Sequence, residues 1–352
     1  MKNRYSYPVI QRLFLTAIVS LIPLIVLPQE ATTCAENLKN AQALFDNGQV
    51  EQVPGMLSEC LKSGFNREEE LTAYKLLIQT YLFEDKNELA DSVMLAFLKK
   101  NPEYELSPTD HSSFVFLYNK FNVKPVIQIS VHLGTNLPFI TFIDQKSVAG
   151  IPGEGVYKSK ALNLYASLEA KIKLTEKLEL NIEGGYSQIK FTNIEDFMRF
   201  GETTYDETQQ RIEVPLSITY DIKNFGKFTP YGRFGIGSAF TLASKALAEF
   251  NPTDENNRVN RTGTSIDRND TRINMDLFVQ IGAGIKLKIR GGYILAELRS
   301  NAGALNQTIR GGASPEQLAF RYFYEDDDFH LNSLNFSLGY TQIFYKPSKR
   351  KE

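Results

Sequence analysis

The most restrictive feature of this chain is a two-residue alternation that persists over segments much longer than ordinary strands. From Ile273 to Ile289 every odd position is apolar, whereas the even positions are mostly polar or glycine. A period of two is typical of a β-strand with one apolar face and one polar face. Such a length exceeds the five or six residues of a usual soluble strand, and it suits a tilted strand that crosses a bilayer and continues beyond it.

The same alternation recurs along the second half of the chain. It predicts eight strands, at about 126–137, 161–174, 178–191, 209–222, 228–241, 271–289, 292–300 and 329–345. Their connections alternate in length, with long segments at 138–160, 192–208, 242–270 and 301–328. Short turns lie between them at 175–177, 223–227 and 290–291. Long external loops alternating with short periplasmic turns are typical of a transmembrane β-barrel.

We therefore predict an α + β multidomain protein with N-terminal helical hairpins at 32–122 and an eight-stranded antiparallel transmembrane β-barrel at 123–346. An even strand number places both barrel termini, and hence the helical domain, on the periplasmic side of a bacterial outer membrane. Residues 347–352 are expected to form a basic periplasmic tail. The alternative is a soluble β-sandwich or lipocalin-like barrel, which would have shorter strands and no regular alternation of loop length.

The polar faces of the predicted strands point into the barrel lumen. An eight-stranded barrel is just wide enough to be filled by side chains, and buried charges of both signs are expected to pair. The predicted lumen charge network consists of Glu169, Lys171, Glu183, Arg211, Glu213, Arg233, Asp276, Lys286, Glu297 and Arg299. A filled, rigid lumen is the expectation, and a path for small solutes is the alternative.

Aromatic residues near the ends of the outward faces are candidates for the two interfacial girdles of a membrane barrel. They are Tyr186, Tyr220, Phe228, Phe240, Tyr340 and Phe344.

The N-terminus resembles an export signal. Lys2, Arg4 and Arg12 are followed by a mostly apolar stretch, 13–28, so that residues 1–31 are predicted to be a signal peptide. A membrane anchor is the alternative, although this stretch is short for a membrane-spanning helix. Export would place Cys34 and Cys60 in an oxidising compartment, where we expect them to form a disulfide.

Helical periodicity follows the signal segment. Leu77, Tyr81, Ala90, Met94, Phe97 and Pro102 have the spacing of the tetratricopeptide repeat, a helix–turn–helix unit. This resemblance implies a module that docks a peptide or protein partner. The alternative is a helical domain that only packs on its neighbour.

The second half also resembles the PorT-like family of outer-membrane β-barrels. The matching stretches are 211–220, a strand that contains a proline, and 229–237, a strand with Pro-Tyr followed by alternating glycines. Because some relatives serve protein secretion and gliding, the resemblance implies an accessory of an envelope or secretion assembly.

Composition and motifs argue against several other classes. Lys and Arg total 39 against 41 Asp and Glu, so no excess of basic residues supports nucleic-acid binding. Three His and two Cys argue against a multi-ligand metal site, and we expect no cofactor. Ser130 and His132 share the lumen face of the first strand, but no nucleophile-elbow motif accompanies them. The carboxylates of 325–328 are expected to be solvated loop charges, with calcium binding as the alternative.

The sequence thus predicts a non-enzymatic outer-membrane barrel surrounded by lipid, whose periplasmic helical module docks a protein partner. The alternative is a barrel for small-solute transport or lipid-directed catalysis, with its site in the lumen or at the external mouth.

Overall fold

The computed structural model describes residues 30–148, 155–159, 163–197, 199–253, 261–309 and 316–350. The predicted signal segment, 1–31, lies outside the described residues except for its last two positions. Contacts divide the chain into two units, one formed by Met1–Asn122 with Pro347–Glu352 and the other by Val123–Lys346.

The first unit is helical. Its elements are α1 (Glu30–Asp46), a 3-10 turn (Val50–Gln52), α2 (Val53–Ser58), α3 (Arg67–Phe83), α4 (Asn87–Lys100) and α5 (Ser112–Tyr118). Asn66 and Glu69 form a reciprocal capping box that fixes the start of α3. Among the described residues, no helix is both long enough and apolar enough to cross a bilayer.

A disulfide joins Cys34 on α1 to Cys60 after α2, with the two Cα atoms 5.7 Å apart, which confirms the predicted pair. It lies beside a core in which Ala41, Val53, Leu57 and Ala73 are fully buried. In the chain-entropy description, a disulfide that closes about 25 residues stabilises the fold by roughly 3 kcal/mol.

The second unit is a sheet of long antiparallel strands whose pairings close into a ring. The strands are β1 (Phe121–Asp144), β2 (Val156–Ser159), β3 (Asn163–Lys173), β4 (Leu178–Phe197), β5 (Gly201–Asp221), β6 (Phe228–Pro252), β7 (Arg261–Thr262), β8 (Ile266–Asp267), β9 (Met275–Ile289), β10 (Gly292–Gly303) and β11 (Asp328–Lys349). The ring runs β4-β3-β1-β11-β10-β9-β6-β5 and returns to β4. Eight long strands and an N-terminal helical region confirm the predicted architecture at this level.

The two ends of the barrel differ. The end that carries the tight turns 174–177, 222–227 and 290–291 is called the turn end here. The opposite end, with the connections 145–162, 198–200, 253–274 and 304–327, is called the loop end. A short helix, α6 (Glu316–Tyr322), belongs to the loop end.

Strands β4, β5 and β6 continue well past the predicted strand ends. The prediction of a long loop at 192–208 is wrong, because β4 and β5 stay paired from Gly185 opposite Glu213 to Phe197 opposite Gly201. Part of the predicted loop 242–270 likewise belongs to β6, which continues to Pro252. This loop-end extension comprises 188–197, 201–210 and 243–252. The alternation persists there, which allows the strands to keep pairing.

Other boundaries also differ from the prediction, among them those of β1, which runs from Phe121 to Asp144 instead of 126–137. β9 begins at Met275 rather than at 271, because residues 269–271 form a 3-10 turn. β11 continues to Lys349, so residues 347–349 of the predicted basic tail are strand. Its backbone remains paired there, since the amide of Arg350 donates to the carbonyl of Lys120 at 2.8 Å.

An apolar belt covers the outward face of the strands away from the loop-end extension. Leu168 is 58% exposed, Ile281 is 64% exposed and Phe234 is 60% exposed. So much exposed apolar surface on a folded sheet indicates a lipid-facing surface. The six predicted girdle aromatics all lie on outward positions, and Tyr186 is the one that is half-buried.

Candidate functional site

All ten residues predicted to form the lumen charge network are buried inside the barrel, each with at most 5% of its surface exposed. They group into three clusters along the barrel axis. How completely these clusters fill the lumen determines whether a solute could pass through it or react inside it.

The central cluster is built around two arginines. Arg233 Nη1 lies 2.6 Å from Glu169 Oε1, and its Nε lies 3.1 Å from Glu297 Oε1. Arg299 contacts the same Glu297 and places Nη1 2.7 Å from Glu183 Oε2. Each arginine therefore bridges two carboxylates, which links strands from opposite sides of the barrel.

Neutral and basic side chains complete this central cluster. Lys171 Nζ lies 3.0 Å from Glu169 Oε2, and the Tyr165 hydroxyl donates to Glu183. Lys171, Arg233 and Arg299 thus face three carboxylates, so the formal charges of these six groups balance. Opposite charges that balance and lie within ion-pair distance offset much of the desolvation cost of a buried position.

A second cluster closes the lumen toward the turn end. Lys286 Nζ contacts Glu179 at 2.7 Å and Asp221 at 2.8 Å. Gln128 donates to Glu179 at 3.0 Å and accepts from the Tyr293 hydroxyl at 2.8 Å. This cluster forms a layer of side chains across the barrel.

A third cluster lies toward the loop end. Arg211 Nη2 lies 3.2 Å from Asp276 Oδ2, and Asn301 donates to Glu213 at 3.3 Å. The cavity beside these groups has a volume of only about 10 Å³, which is roughly the space of one water molecule.

The Ser130–His132 pair does not form a nucleophile and base. Ser130 Oγ lies 2.7 Å from Thr341 Oγ1, whereas His132 Nε2 lies 3.0 Å from Glu169 Oε2. The other ring nitrogen of His132 lies 3.4 Å from Arg299. Both side chains are fully buried, so they act as partners within the lumen network.

A fourth buried cluster, which was not predicted from the sequence, joins Glu207 of the loop-end extension to Arg268, Arg272 and Asp326. Arg272 Nη2 lies 2.7 Å from Glu207 Oε2 and 2.9 Å from Asp326 Oδ1. Arg268 also contacts Asp326. Burial alone would raise the pKa of Glu207, but the positive charge of Arg272 outweighs it and lowers that pKa to about 2.

The expectation that 325–328 are solvated loop charges is wrong for three of the four residues. Asp326, Asp327 and Asp328 are buried, and each has a partner. Asp327 accepts from the backbone amide of Lys146 at 2.8 Å, and Asp328 lies 3.3 Å from Lys146 Nζ. Within the described residues, no group of three or more His, Cys, Asp and Glu side chains has the arrangement of a metal site.

These acidic residues shift the titration of a neighbour on β4. Burial raises the pKa of Glu195 to about 8, and the nearby charge of Asp327 contributes to the increase. Asn193 donates to Glu195 at 2.8 Å, which partly offsets the two effects.

An apolar core lies beside the fourth cluster. It contains Ile189, Phe191, Tyr205, Ala246, Ala248, Phe250, Leu318, Tyr322, Tyr324, Phe329 and Leu331. Tyr205 and Tyr324 stack with ring centroids 4.1 Å apart, which ties the segment after α6 to β5. This apolar core therefore covers the lumen at the loop end.

The six residues that match the tetratricopeptide spacing lie on α3, on α4 and just beyond α4. Leu77, Ala90, Met94 and Phe97 are buried, whereas Tyr81 and Pro102 are half-buried. Phe97 packs edge to face against Tyr74 and Phe114. The four buried positions hold the hairpin together, and they are internal rather than available to a partner.

The exposed apolar side chains of the helical unit lie elsewhere. Phe83, at the end of α3, is 72% exposed, and its ring contacts Phe45 edge to face at 6.5 Å. Leu89, on the other side of the α3–α4 turn, and Phe116 on α5 are also exposed.

A closed ring of antiparallel strands with an apolar exterior and a filled, charged interior defines a membrane β-barrel. A family model described as outer membrane protein beta-barrel domain matches residues 118–310, which is more than half of the chain. The chain belongs to this family, and it is an outer-membrane protein with a lipid-facing barrel. No curated protein matches it in sequence.

Solved outer-membrane barrels are similar to this chain. Neisserial surface protein A has 10% identity and a TM-score of 0.32, with 63% of this chain and 99% of that chain covered. The outer membrane protease OmpT from Escherichia coli has 9% identity and a TM-score of 0.34, with 63% and 98% covered. A major outer membrane protein from Thermus thermophilus has 11% identity and a TM-score of 0.33, with 61% and 99% covered.

Proposed function

We propose that this protein is a non-enzymatic outer-membrane anchor whose helical unit docks a protein partner in the periplasm. In this proposal it serves as an accessory of an envelope or secretion assembly. The barrel holds the docking unit at the membrane and conducts nothing.

One observation carries the first part of the proposal, namely the filled interior. Charged clusters with short contacts occupy the lumen at three levels, and the cavity beside Arg211 and Asp276 has a volume of about 10 Å³. A solute could pass only by breaking several buried ion pairs. Breaking one such pair leaves a buried charge without its partner, which strongly destabilises a protein. The separate partners of Ser130 and His132 argue in the same way against catalysis in the lumen.

The proposed orientation follows from the unequal ends. Tight turns usually face the periplasm in outer-membrane barrels, and longer connections face outward. The helical unit precedes β1, which begins at the turn end, so this orientation assigns the helical unit to the periplasm.

The proposed docking surface is an apolar patch formed by Phe83 and Phe45. Phe83 is 72% exposed and its ring contacts that of Phe45, so that the two aromatic side chains form one apolar patch on the surface of the helical unit. Aromatic residues also contribute strongly to binding energy when a partner buries them. We interpret the α3–α4 hairpin as tetratricopeptide-like, and a partner with an apolar segment is the expected occupant.

Photo-crosslinking tests the docking proposal. A photoreactive residue at Phe83 in the full-length protein should give one adduct of discrete mass in cells. The same residue at Phe116 is the matched control, because that aromatic ring is also exposed but lies on α5. An F83S variant that inserts normally should lose the partner on co-purification. Equal adducts at both positions, or full co-purification of F83S, would contradict the proposal.

Conductance separates the anchor from the transport alternative. Purified protein in planar bilayers should show no stable current. A reproducible open channel that disappears when the lumen charges are changed would show that the interior is a passage, and the anchor proposal would then fail.

A further inference from the structure

The turn end of the barrel carries a run of exposed cations, called the cationic arc here. Its members are Lys173, Lys177, Lys223, Lys227, Lys288 and Arg290. They lie in or beside the turns that join β3 to β4, β5 to β6 and β9 to β10. These six strands are consecutive around the barrel, so the arc covers one continuous part of the rim.

Backbone contacts show that the three turns are neighbours. The carbonyl of Lys177 accepts from the amide of Asp221 at 2.8 Å, and the carbonyl of Lys227 accepts from the amide of Lys288 at 2.7 Å. The positive charges are therefore brought together by strand pairing, although they are far apart in sequence.

Few negative charges compensate the arc. In the part of the chain that the structure describes, none of its six cations forms an ion pair. Of the carboxylates in this region, Glu179 and Asp221 bind Lys286 inside the lumen. Glu176 is the exposed carboxylate within the three turns. The arc thus presents six positive charges with one exposed negative charge among them.

Apolar side chains border the arc on its outward side. Leu174 is 52% exposed, Ile222 is 55% exposed and Phe228 is 48% exposed. Phe225, in the β5–β6 turn, is 59% exposed, and Lys223 Nζ lies 5.7 Å from its ring centroid. The cations therefore lie at the edge of the lipid-facing belt, where long basic side chains reach the headgroup level.

We propose that the cationic arc binds the phosphate groups of anionic lipid headgroups in the adjoining leaflet. Ammonium and guanidinium groups are donors to phosphate oxygens, and each basic residue near an anionic surface strengthens binding about fivefold. Lipid is favoured over an acidic polypeptide because the same turns carry the aromatic and aliphatic side chains that insert beside headgroups. This site is independent of the proposed docking function.

The test uses full-length protein and native mass spectrometry, with phosphatidylglycerol and phosphatidylethanolamine as probes. The rim variant K223Q/K227Q/R290Q is compared with a control variant, K158Q/K190Q/K245Q, which removes the same charge at the loop end. The wild type and the control should retain phosphatidylglycerol in preference to phosphatidylethanolamine. The rim variant should retain it more weakly by on the order of tenfold or more.

Further arms identify the ligand and guard against misfolding. Excess inorganic phosphate should displace phosphatidylglycerol only in part, because a free anion lacks the acyl chains that contact Leu174 and Phe228. Complete displacement would show a phosphate site without lipid selectivity and would overturn the proposal.

For the wild type, raising the salt concentration should weaken phosphatidylglycerol retention. Equal retention of phosphatidylglycerol by the wild type, the control and the rim variant would also contradict the proposal. So would a rim variant that retains phosphatidylglycerol but no longer binds poly-glutamate, which serves as the acidic polypeptide. Variant folding is checked by the heat-dependent gel shift expected of a barrel.

Discussion

The outward faces of β4, β5 and β6 have opposite polarity in the lipid-facing part of the barrel and in the loop-end extension. On β5, Ile212, Leu216 and Ile218 point outward beside inward Glu213. Further along the same strand Asp206 points outward, whereas Tyr205 is fully buried. Period-two alternation defines a strand, but the face that carries the apolar residues shows whether lipid or water surrounds it.

The buried charges of the two regions also differ in their surroundings. Arg233 is enclosed by other charged residues of the lumen, whereas Arg272 lies beside an apolar core and near the ring of Phe329. In both regions an arginine bridges two carboxylates from distant parts of the chain. The same pairing therefore fills the interior in one region and fastens a long connection in the other.

The largest expected effect comes from removing the central lumen arginine. R233M leaves Glu169 and Glu297 with less compensation in a buried site, which should destabilise the barrel by about 3–5 kcal/mol. Urea unfolding in lipid vesicles measures the change. R233M/E297Q should recover part of the loss, and a single variant as stable as wild type would contradict the bridging role.

The next effect compares two outward positions on β5. L216K places a charge in the apolar belt and should cost about 2–4 kcal/mol. T208K, in the extension, should change stability by less than about 0.5 kcal/mol because water surrounds that face. For each variant, the stability change is obtained from the fraction of protein that inserts into lipid vesicles, which is measured by the heat-dependent shift in gel mobility. Equal losses for the two variants would remove the distinction between the regions.

A smaller effect is expected from pH, and it should be confined to the extension. The pKa of Glu195 is raised from 4.5 to about 8, so the protonated form is favoured in the folded state. This contribution is fully present below pH 4.5 and is lost as the pH rises through 8. We expect a loss on the order of 1–3 kcal/mol, seen as faster proteolysis of the extension between about pH 5 and pH 9. E195Q should be nearly insensitive over this range, and an equal pH response in both proteins would contradict the assignment.

The sequence allowed the membrane-facing region to be predicted well, for a definite physical reason. Inward residues of one strand share one parity, so once Leu168 and Ile281 are assigned to the outward face, Glu169 and Asp276 must point inward. The burial of the lumen charges follows from this rule. The disulfide was predictable because the chain contains only two cysteines.

The extension was harder to predict because its polarity is reversed. A membrane strand is recognised by apolar residues at its outward positions. The outward positions of β5 in the extension are polar and therefore resemble a loop, namely Asp206, Thr208 and Gln210. A register shift in the β5–β6 pairing beside Gln210 and Arg211 also changes the parity of β6. The Arg272 cluster joins residues from three separate segments, and no local spacing indicates such a contact.

Cysteine scanning along β5 tests the central claim most directly. The two native cysteines are joined in a disulfide, so a single cysteine introduced at 204, 206, 208, 210, 212, 214, 216 or 218 provides a unique thiol. In vesicles, a water-soluble maleimide should label outward positions through 210 and fail to label those from 212 onward. Uniform labelling along the strand, or a boundary far from residues 210–212, would contradict the account.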